Sequence, residues 1–204
     1  MIDFINNKKI QELLEKINDD VKNALSGKRY NHSLGVMKKA EELAKIYNVS
    51  IEKAKLVGLA HDIGKELTKE AKLQYVKENN IEIDNIEKIN VGLLHGKIGA
   101  DICKKKYNFT NDMQDAIKYH TTGNKNMDLL AKVIFVADKI EEGRKYKDEK
   151  KLQDLEMARK IALEDLDKAV LYLIDFSLEY TIQKKELIHP DSIETRNEII
   201  IKNL

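Results

Sequence analysis

The chain has 204 residues, 42% of them apolar, which is enough for one large or two small domains with a substantial core. Its net charge of +1 provides no overall field to recruit nucleic acid or anionic lipid, and its only cysteine, Cys103, excludes an internal disulfide. No apolar run approaches the ~18 residues of a membrane span, and no signal-peptide segment is recognisable, so we expect a cytoplasmic protein without nucleic-acid or membrane partners.

Helical periodicity dominates the chain from the N-terminus onwards. Residues 5–17 show the spacing of an amphipathic helix, and a short stretch after them ends at Leu25. A second helix is expected over about 32–47. Ser50 is a suitable N-cap for a third helix, and Gly64 is its expected terminator.

The middle of the chain continues the helical pattern with one interruption. Thr68 is suited to cap a short helix that ends near Asn79, whereas the segment 80–91 is polar and rich in turn-forming residues. A helix over about 93–102 and another from Thr110 to His120 are expected to follow.

The run 129–140 is almost continuously apolar, so periodicity alone fits a buried strand as well as a buried helix. Its length and the lack of partner strands favour a helix. Two or three further helices are expected after Leu152, with a break at His189 and Pro190. The sequence therefore predicts an all-α protein, and without a clear linker we expect a single domain over 1–204.

Histidine and aspartate residues indicate one metal site. Imidazole and carboxylate groups are the ligands of hydrolytic divalent or iron centres. Because these residues are far apart in the chain, they must come from different helices with inward-pointing side chains. The alternative is a set of unrelated core and surface residues. The six candidates are His32, His61, Asp62, His95, His120 and Asp138.

Six segments together resemble one known family: 29–36, 58–66, 95–100, 119–123, 136–144 and 189–197. The order of His, His-Asp and Asp is similar to that of the HD-domain phosphohydrolase superfamily. The Thr-Thr-Gly, Asp-to-Arg and His-Pro segments resemble its YqeK-like branch, the bacterial symmetrical bis(5'-nucleosyl)-tetraphosphatases, which hydrolyse diadenosine tetraphosphate. The resemblance runs from about residue 20 to the C-terminus.

Two features depart from this branch. Glu142 stands where we expect proline, which would loosen the turn that presents Arg144. Residues 63–65 are also similar to the cyclic-dinucleotide phosphodiesterase branch, but the Gly-Tyr-Pro signature of that branch is missing.

The resemblance implies a helical HD bundle with a core over about 20–145 and C-terminal helices over 150–204 that pack on it. It implies that four residues bind a first metal: His32, His61, Asp62 and Asp138. His95 and His120 either complete a second metal site with Asp62 as the bridge, or contact phosphate around a single ion. The donor set suits a divalent or ferric ion, with iron favoured over manganese or zinc.

Further roles follow from the same resemblance. Asp62 and Lys65 are expected to be catalytic, with Lys65 as a clamp on phosphate. Arg144 is expected to reach a second phosphate, unless it is only a solvated loop residue, and Thr121 either donates to substrate or simply ends a helix. The segment 189–196 is expected to form a wall of the base pocket, with His189 and Arg196 as nucleotide contacts. Arg29 is interpreted as a helix cap rather than a phosphate ligand.

The implied reaction is the cleavage of diadenosine tetraphosphate into two ADP by metal-activated hydroxide. Two alternatives remain at this stage. One is an HD-type phosphohydrolase of another nucleotide, such as a deoxynucleotide or an alarmone, and the other is a metal-dependent nucleotide sensor without turnover. The resemblance also implies a homodimer.

Overall fold

The computed structural model describes residues 7–202 and residue 204, and over these residues the regular structure is helical, with no strand. The prediction of an all-α fold is confirmed. None of the helices in this part of the chain combines the length and apolar character needed to cross a membrane. The α-helices are α1 (Asn7–Ala24), α2 (Gly27–Ile46), α3 (Ile51–Ala60), α4 (Lys69–Glu78), α5 (Asn85–Ile89), α6 (Leu94–Tyr107), α7 (Asn111–Lys118), α8 (Leu129–Ile140), α9 (Glu149–Glu164), α10 (Leu166–Gln183) and α11 (Pro190–Lys202).

The first two predicted stretches form a single helix. Helix α1 is continuous from Asn7 to Ala24 and buries Ile17 and Val21, so the periodicity seen up to residue 17 extends further than predicted. The predicted start at residue 5 lies outside the described residues. Helix α2 begins at Gly27 and places His32 well inside the helix, more than a turn from its N-terminus.

Helix capping explains where α3 and α4 begin. The Ser50 hydroxyl accepts a hydrogen bond from the backbone N–H of Lys53, and the Thr68 hydroxyl accepts one from that of Ala71. Each bond satisfies one of the N–H groups that a helix start leaves unpaired. These two predicted caps are therefore confirmed.

Two sequence predictions were wrong in detail. Gly64 does not terminate α3. The helix ends at Ala60, and the chain then continues as a series of turns through His61 and Asp62. The polar segment 80–91 contains helix α5, because Asp84 and Glu87 form a reciprocal capping box that stabilises even this short helix. A 3-10 helix over Val91–Leu93 then leads into α6.

Helix α8 is the central element of the fold. Nearly every side chain from Leu130 to Ile140 is buried, and Phe135 is fully buried. The helix packs against α2, α3 and α7 as well as against α9 and α10. A helix that is apolar on all sides needs such neighbours, which accounts for the nearly unbroken apolar run and confirms the choice of helix over strand.

The C-terminal helices continue the same core. One cluster of buried side chains extends from Ile17 in α1 to Ile199 in α11. Helix α10 packs against α8, α9 and α11. This continuity supports the interpretation of one domain over the whole chain, which stays a prediction.

A close approach between α6 and the end of α7 depends on Gly96. A Cβ atom at this position would lie 2.6 Å from the backbone carbonyl oxygen of Lys118, which cannot move aside as a flexible side chain can. We expect Gly96→Ala to lower the free energy of unfolding by about 1–3 kcal/mol, the usual cost of overpacking. Urea denaturation measures this change. Gly27→Ala is the control, because a Cβ there meets no atom within 4 Å; equal stability of the two variants would contradict the prediction.

Candidate metal centre

The fold brings together the six predicted ligand groups from five parts of the chain. His32 comes from α2, His61 and Asp62 follow α3, His95 lies in the first turn of α6, His120 follows α7, and Asp138 lies near the end of α8. His61, Asp62, His95 and His120 are buried almost completely. The arrangement suits inward-pointing ligands, although the roles of these residues as ligands stay predictions.

Three of the histidines are oriented by a backbone carbonyl three residues earlier. The Nδ1 atom of His61 lies 2.8 Å from the Gly58 carbonyl oxygen, and that of His95 lies 2.6 Å from the Gly92 carbonyl oxygen. The Nδ1 atom of His120 lies 2.7 Å from the carbonyl oxygen of Ile117. A neutral imidazole bonded in this way carries its proton on Nδ1 and presents the lone pair of Nε2. All three Nε2 atoms are thus available as ligand atoms.

The first group of ligand atoms surrounds His61. Its Nε2 atom lies 3.7 Å from both Asp62 Oδ2 and Asp138 Oδ1. His32 Nε2 lies 3.0 Å from Asp138 Oδ1. Atoms of His32, His61 and Asp62 lie within 4.8 Å of one another, a separation that one ion can bridge.

The second group shares Asp62 with the first. Asp62 Oδ1 lies 3.3 Å from His95 Nε2 and 3.6 Å from His120 Nε2. The two Nε2 atoms of His95 and His120 are 3.0 Å apart. Because both histidines use Nδ1 as the donor to a carbonyl, two lone pairs face each other at this distance, and a cation between them would relieve the repulsion.

Two buried atoms of the centre also lack a hydrogen-bond partner within the described chain: His61 Nε2 and Asp62 Oδ1. A buried polar atom without a partner is costly, and a metal ion is one of the partners that removes the cost. These two unpaired acceptor atoms from adjacent residues therefore fit a bound cation.

The protonation states also fit metal binding. Burial lowers the pKa of the His61 imidazole to about 4, and it also lowers the pKa values of His95 and His120. Burial by itself would raise the pKa of the Asp62 carboxyl group, but the adjacent imidazoles of His61, His120 and His95 hold that pKa well below its usual range. The lowered pKa values of His61, His95 and His120 favour neutral imidazoles, and that of Asp62 favours an ionised carboxylate, which are the states that bind metals.

Cationic side chains flank the centre. Lys65 Nζ lies 3.0 Å from His95 Nε2 and 3.6 Å from Asp62 Oδ1. Arg29 donates to Asp62 Oδ2 at 3.2 Å, so this residue reaches the centre and is more than the helix cap expected from the sequence. The partly buried Lys139, which the sequence pattern did not indicate as a site residue, donates to the His120 carbonyl oxygen at 2.9 Å. Such a group of cations suits a polyanionic substrate.

Arg144 is turned towards an aspartate. Its Nη2 atom donates to Asp138 Oδ1 at 2.8 Å, and its Nε atom donates to the Asp138 carbonyl oxygen at 3.0 Å. Glu142, which stands in place of the expected proline, pairs with Lys39 at 2.9 Å. The turn after α8 is therefore anchored, and the predicted contact of Arg144 with phosphate stays a prediction.

A cavity of about 540 Å³ adjoins the centre. Its volume is in the usual range for small-molecule sites. Polar residues that line it include Thr121, Thr122, Asp138, Lys139, Arg144, His189 and Ser192. The aromatic residues are Tyr146, Tyr172, Phe176 and Tyr180. The cavity thus combines the polar groups of the centre with an aromatic surface.

The C-terminal segment forms part of this cavity. His189 Nε2 lies 2.8 Å from Asp84 Oδ2, and the Ser192 hydroxyl donates to the Thr122 carbonyl oxygen at 2.9 Å. The His-Pro segment and the Thr-Thr-Gly segment therefore meet in space. Thr121 Oγ1 lies 3.2 Å from His120 Nε2. Arg196 instead pairs with Asp175 at 2.5 Å and does not line the cavity, so its predicted contact with nucleotide finds no support here.

A sequence model of the HD domain family matches residues 29–143, more than half of the chain. The chain belongs to the HD domain family. The match encloses every residue of the candidate metal centre, from Arg29 to Asp138. It places the HD part of the protein over helices α2 to α8.

Two similar proteins indicate the branch of the HD family that this HD domain protein resembles. A Halalkalibacterium halodurans protein named bis(5'-nucleosyl)-tetraphosphatase, symmetrical, is 33% identical over 183 residues, which cover 89% of this chain and 94% of that protein. A Bacillus subtilis protein of the same name is 32% identical over 181 residues, 88% of this chain and 94% of that protein. The resemblance to the HD superfamily and to its symmetrical tetraphosphatase branch is confirmed.

A solved structure shares the fold of this HD domain protein. It is a Clostridium acetobutylicum protein described as a predicted HD superfamily hydrolase involved in NAD metabolism. The two chains are 41% identical, with a TM-score of 0.86 over 92% of this chain and 97% of the other. The likeness therefore includes the C-terminal helices that follow the HD match.

Proposed function

We propose that this protein hydrolyses dinucleoside polyphosphates and cleaves diadenosine tetraphosphate into two ADP. The observation that carries the proposal is the pair of ligand groups that share Asp62, one with His32 and His61 and the other with His95 and His120. Asp138, which lies beside the first group, lines a cavity of nucleotide size. The names of the two bacterial relatives agree with this reaction.

The proposed metal centre has two positions. His32, His61, Asp62 and Asp138 hold the first cation, and His95 and His120 hold the second together with Asp62. We propose iron as the occupant, with manganese and zinc as alternatives that the same nitrogen and oxygen donors accept. A hydrolytic metal in such a site polarises phosphate oxygens and lowers the pKa of water.

Cationic side chains beside the proposed metal centre balance the negative charge of the substrate phosphates. Lys65 lies beside the second group with about a third of its side chain exposed, so its ammonium group can turn towards a phosphate and neutralise charge that develops there. Lys139 lines the cavity and offers a second positive charge, with 15% of its side chain exposed. Thr121 offers a hydroxyl donor next to His120.

The products follow from where the substrate is held. One ADP half lies in the cavity, so that the bridge between the two inner phosphates reaches the metal centre. A water oxygen forms a bond to one inner phosphorus, and the bridging oxygen leaves with the other phosphate. Each product is ADP, and because ADP is a good leaving group, no separate general acid is required.

Product analysis tests the proposal. Purified protein supplied with iron or manganese is incubated with diadenosine tetraphosphate, and the nucleotides are separated by ion-exchange chromatography. We expect ADP as the nucleotide product. AMP together with ATP would contradict symmetrical cleavage. Orthophosphate released from nucleoside monophosphates, with diadenosine tetraphosphate intact, would favour an HD phosphohydrolase of another nucleotide, and binding without turnover would favour a sensor.

The aromatic surface is expected to bind the adenosine half. The rings of Tyr146 and Phe176 lie 6.3 Å apart between centroids, and both residues line the cavity. We expect Phe176→Ala to raise KM for diadenosine tetraphosphate by about 5–150-fold, which corresponds to the ~1–3 kcal/mol of stacking a base on an aromatic side chain.

Steady-state kinetics measure the effect of Phe176→Ala. Tyr75→Ala is the control, because Tyr75 bonds to Asp101 and is not among the cavity-lining residues. An unchanged KM in the Phe176 variant would place the base elsewhere.

We also propose that His189 forms a wall of the pocket that binds the base. Homodimer formation and a cytoplasmic location stay predictions from the sequence.

A further inference from the structure

His32 differs from the other three histidines of the metal centre in how its ring is held. His61 and His120 follow the C-terminal ends of α3 and α7, where backbone carbonyl groups lack a helical partner and can accept from Nδ1. The Nδ1 atom of His95 bonds to the Gly92 carbonyl oxygen in the 3-10 helix that precedes α6. His32 lies inside α2, where the carbonyl groups are already paired along the helix. Its Nδ1 atom therefore needs a partner from another element.

That partner is the carboxylate of Glu141, which follows α8. Glu141 Oε1 lies 3.0 Å from His32 Nδ1, and Oε2 accepts a hydrogen bond from the backbone N–H of Gly143. Only 4% of the Glu141 side chain is exposed. A buried carboxylate is costly unless it is paired, and here both oxygens have donors.

Two glycines make room for this carboxylate. A Cβ atom at Gly35, one turn after His32 in α2, would lie 2.3 Å from Glu141 Oε2. A Cβ atom at Gly143 would lie 2.8 Å from the same oxygen. An alanine at position 35 would therefore displace Glu141 from the position where it reaches the ring of His32.

The backbone of Glu141 is fixed as well. Arg159 in α9 donates to the carbonyl oxygens of Ile140 and Glu141, at 3.0 Å and 2.8 Å. The Arg144 N–H also donates to the Glu141 carbonyl oxygen, at 3.0 Å. These hydrogen bonds fix the backbone at the C-terminal end of α8, and with it the direction in which the Glu141 side chain leaves the helix.

We propose that Glu141 is a positioning residue for the metal centre and that Gly35 keeps its slot open. Glu141 accepts the Nδ1 proton of His32, directs Nε2 towards Asp138 and the first cation position, and increases the basicity of the ring through its negative charge. The inference rests on the proposed metal site and adds a residue that itself binds neither metal nor nucleotide.

Titration of the metal-free full-length protein with Mn²⁺, without nucleotide, tests this role. Free Mn²⁺ is followed by electron paramagnetic resonance. We expect Glu141→Gln and Gly35→Ala each to weaken Mn²⁺ binding by about 10–100-fold, the usual effect of losing a group that orients a metal ligand. Gly27→Ala, in the same helix but without neighbours within 4 Å, should bind as the unaltered protein does.

Two further measurements separate positioning from a general loss of structure. Circular dichroism of the metal-free Gly35→Ala variant should show the helix content of the unaltered protein, because alanine favours a helix over glycine. The double variant G35A/E141Q should bind Mn²⁺ no more weakly than the weaker single variant, since both changes act through one contact.

The result that would overturn the inference is wild-type affinity for Mn²⁺ in both single variants, or additive losses in the double variant. If the unaltered protein itself binds no Mn²⁺ or other divalent ion, the proposed metal site fails, and with it the proposed function. The two failures are thus distinguishable.

Discussion

Asp62→Ala is expected to reduce the hydrolysis of diadenosine tetraphosphate by at least ~10³-fold, beyond the loss of one ordinary electrostatic contact. Asp62 is the residue that both ligand groups share, with Oδ2 near His61 and Oδ1 near His95 and His120. Its removal takes the negative charge from both cation positions at once. Metal analysis of the purified variant should accordingly show loss of most of the bound metal.

Asp20→Ala is the matched control for this change. Asp20 is also a carboxylate in an ion pair, but it is only half-buried and contacts Tyr107 and Lys106, outside the metal centre. We expect this control to retain metal and turnover. Circular dichroism of both variants should show the same helix content, and an Asp62 variant that keeps full metal content and activity would contradict the proposed centre.

Lys65→Ala is expected to reduce turnover by ~10²-fold or more while the metal content stays unchanged. Lys65 lies next to the second ligand group but offers an ammonium donor rather than a lone pair, so it stabilises charge on the substrate and does not hold the cation. The backbone of Lys65 is held in place, because Lys72 Nζ donates to the Lys65 carbonyl oxygen at 2.8 Å.

Kinetics with saturating substrate, combined with metal analysis, distinguish this role from ligation. Lys105→Ala is the control, since Lys105 pairs with Asp101 on the outer face of α6. If Lys65→Ala leaves turnover at the wild-type value, the assignment of Lys65 to charge stabilisation is wrong. Loss of metal in the Lys65 variant would instead show that its charge balances the centre itself.

Local signals made most of the helices predictable. The caps at Ser50 and Thr68 are formed by side chains that bond within one turn of the chain, and apolar periodicity depends on neighbours three and four residues away. Gly64 shows the limit of such reasoning. Its lack of a side chain serves a close approach to the His95 carbonyl oxygen, at 3.1 Å from its would-be Cβ, and does not serve helix termination.

Some residues of the candidate site can be recognised from the sequence, whereas others are identified only by the packing of the helices. Histidine and aspartate are unusual enough in apolar surroundings for their ligand chemistry to be recognised from residue type and order. Arg29 and Glu141 are ordinary charged residues in sequence, and only the packing of α2 against α3 and α8 brings them to Asp62 and His32. Lys139 follows Asp138 in the chain, but its contact with the His120 carbonyl oxygen depends on the packing of α8 against α7.

The bond from an imidazole to the carbonyl three residues earlier has a consequence for how the centre assembles. For His61, His95 and His120 this bond closes within one turn of backbone, so each ring can adopt its working orientation before the distant helices dock. Little conformational freedom then remains to be lost when the cation arrives. The four-residue segment that contains this hydrogen bond could also be built into the ends of designed helices. Artificial hydrolytic metal sites made in this way would have histidine rings that are oriented before the metal binds.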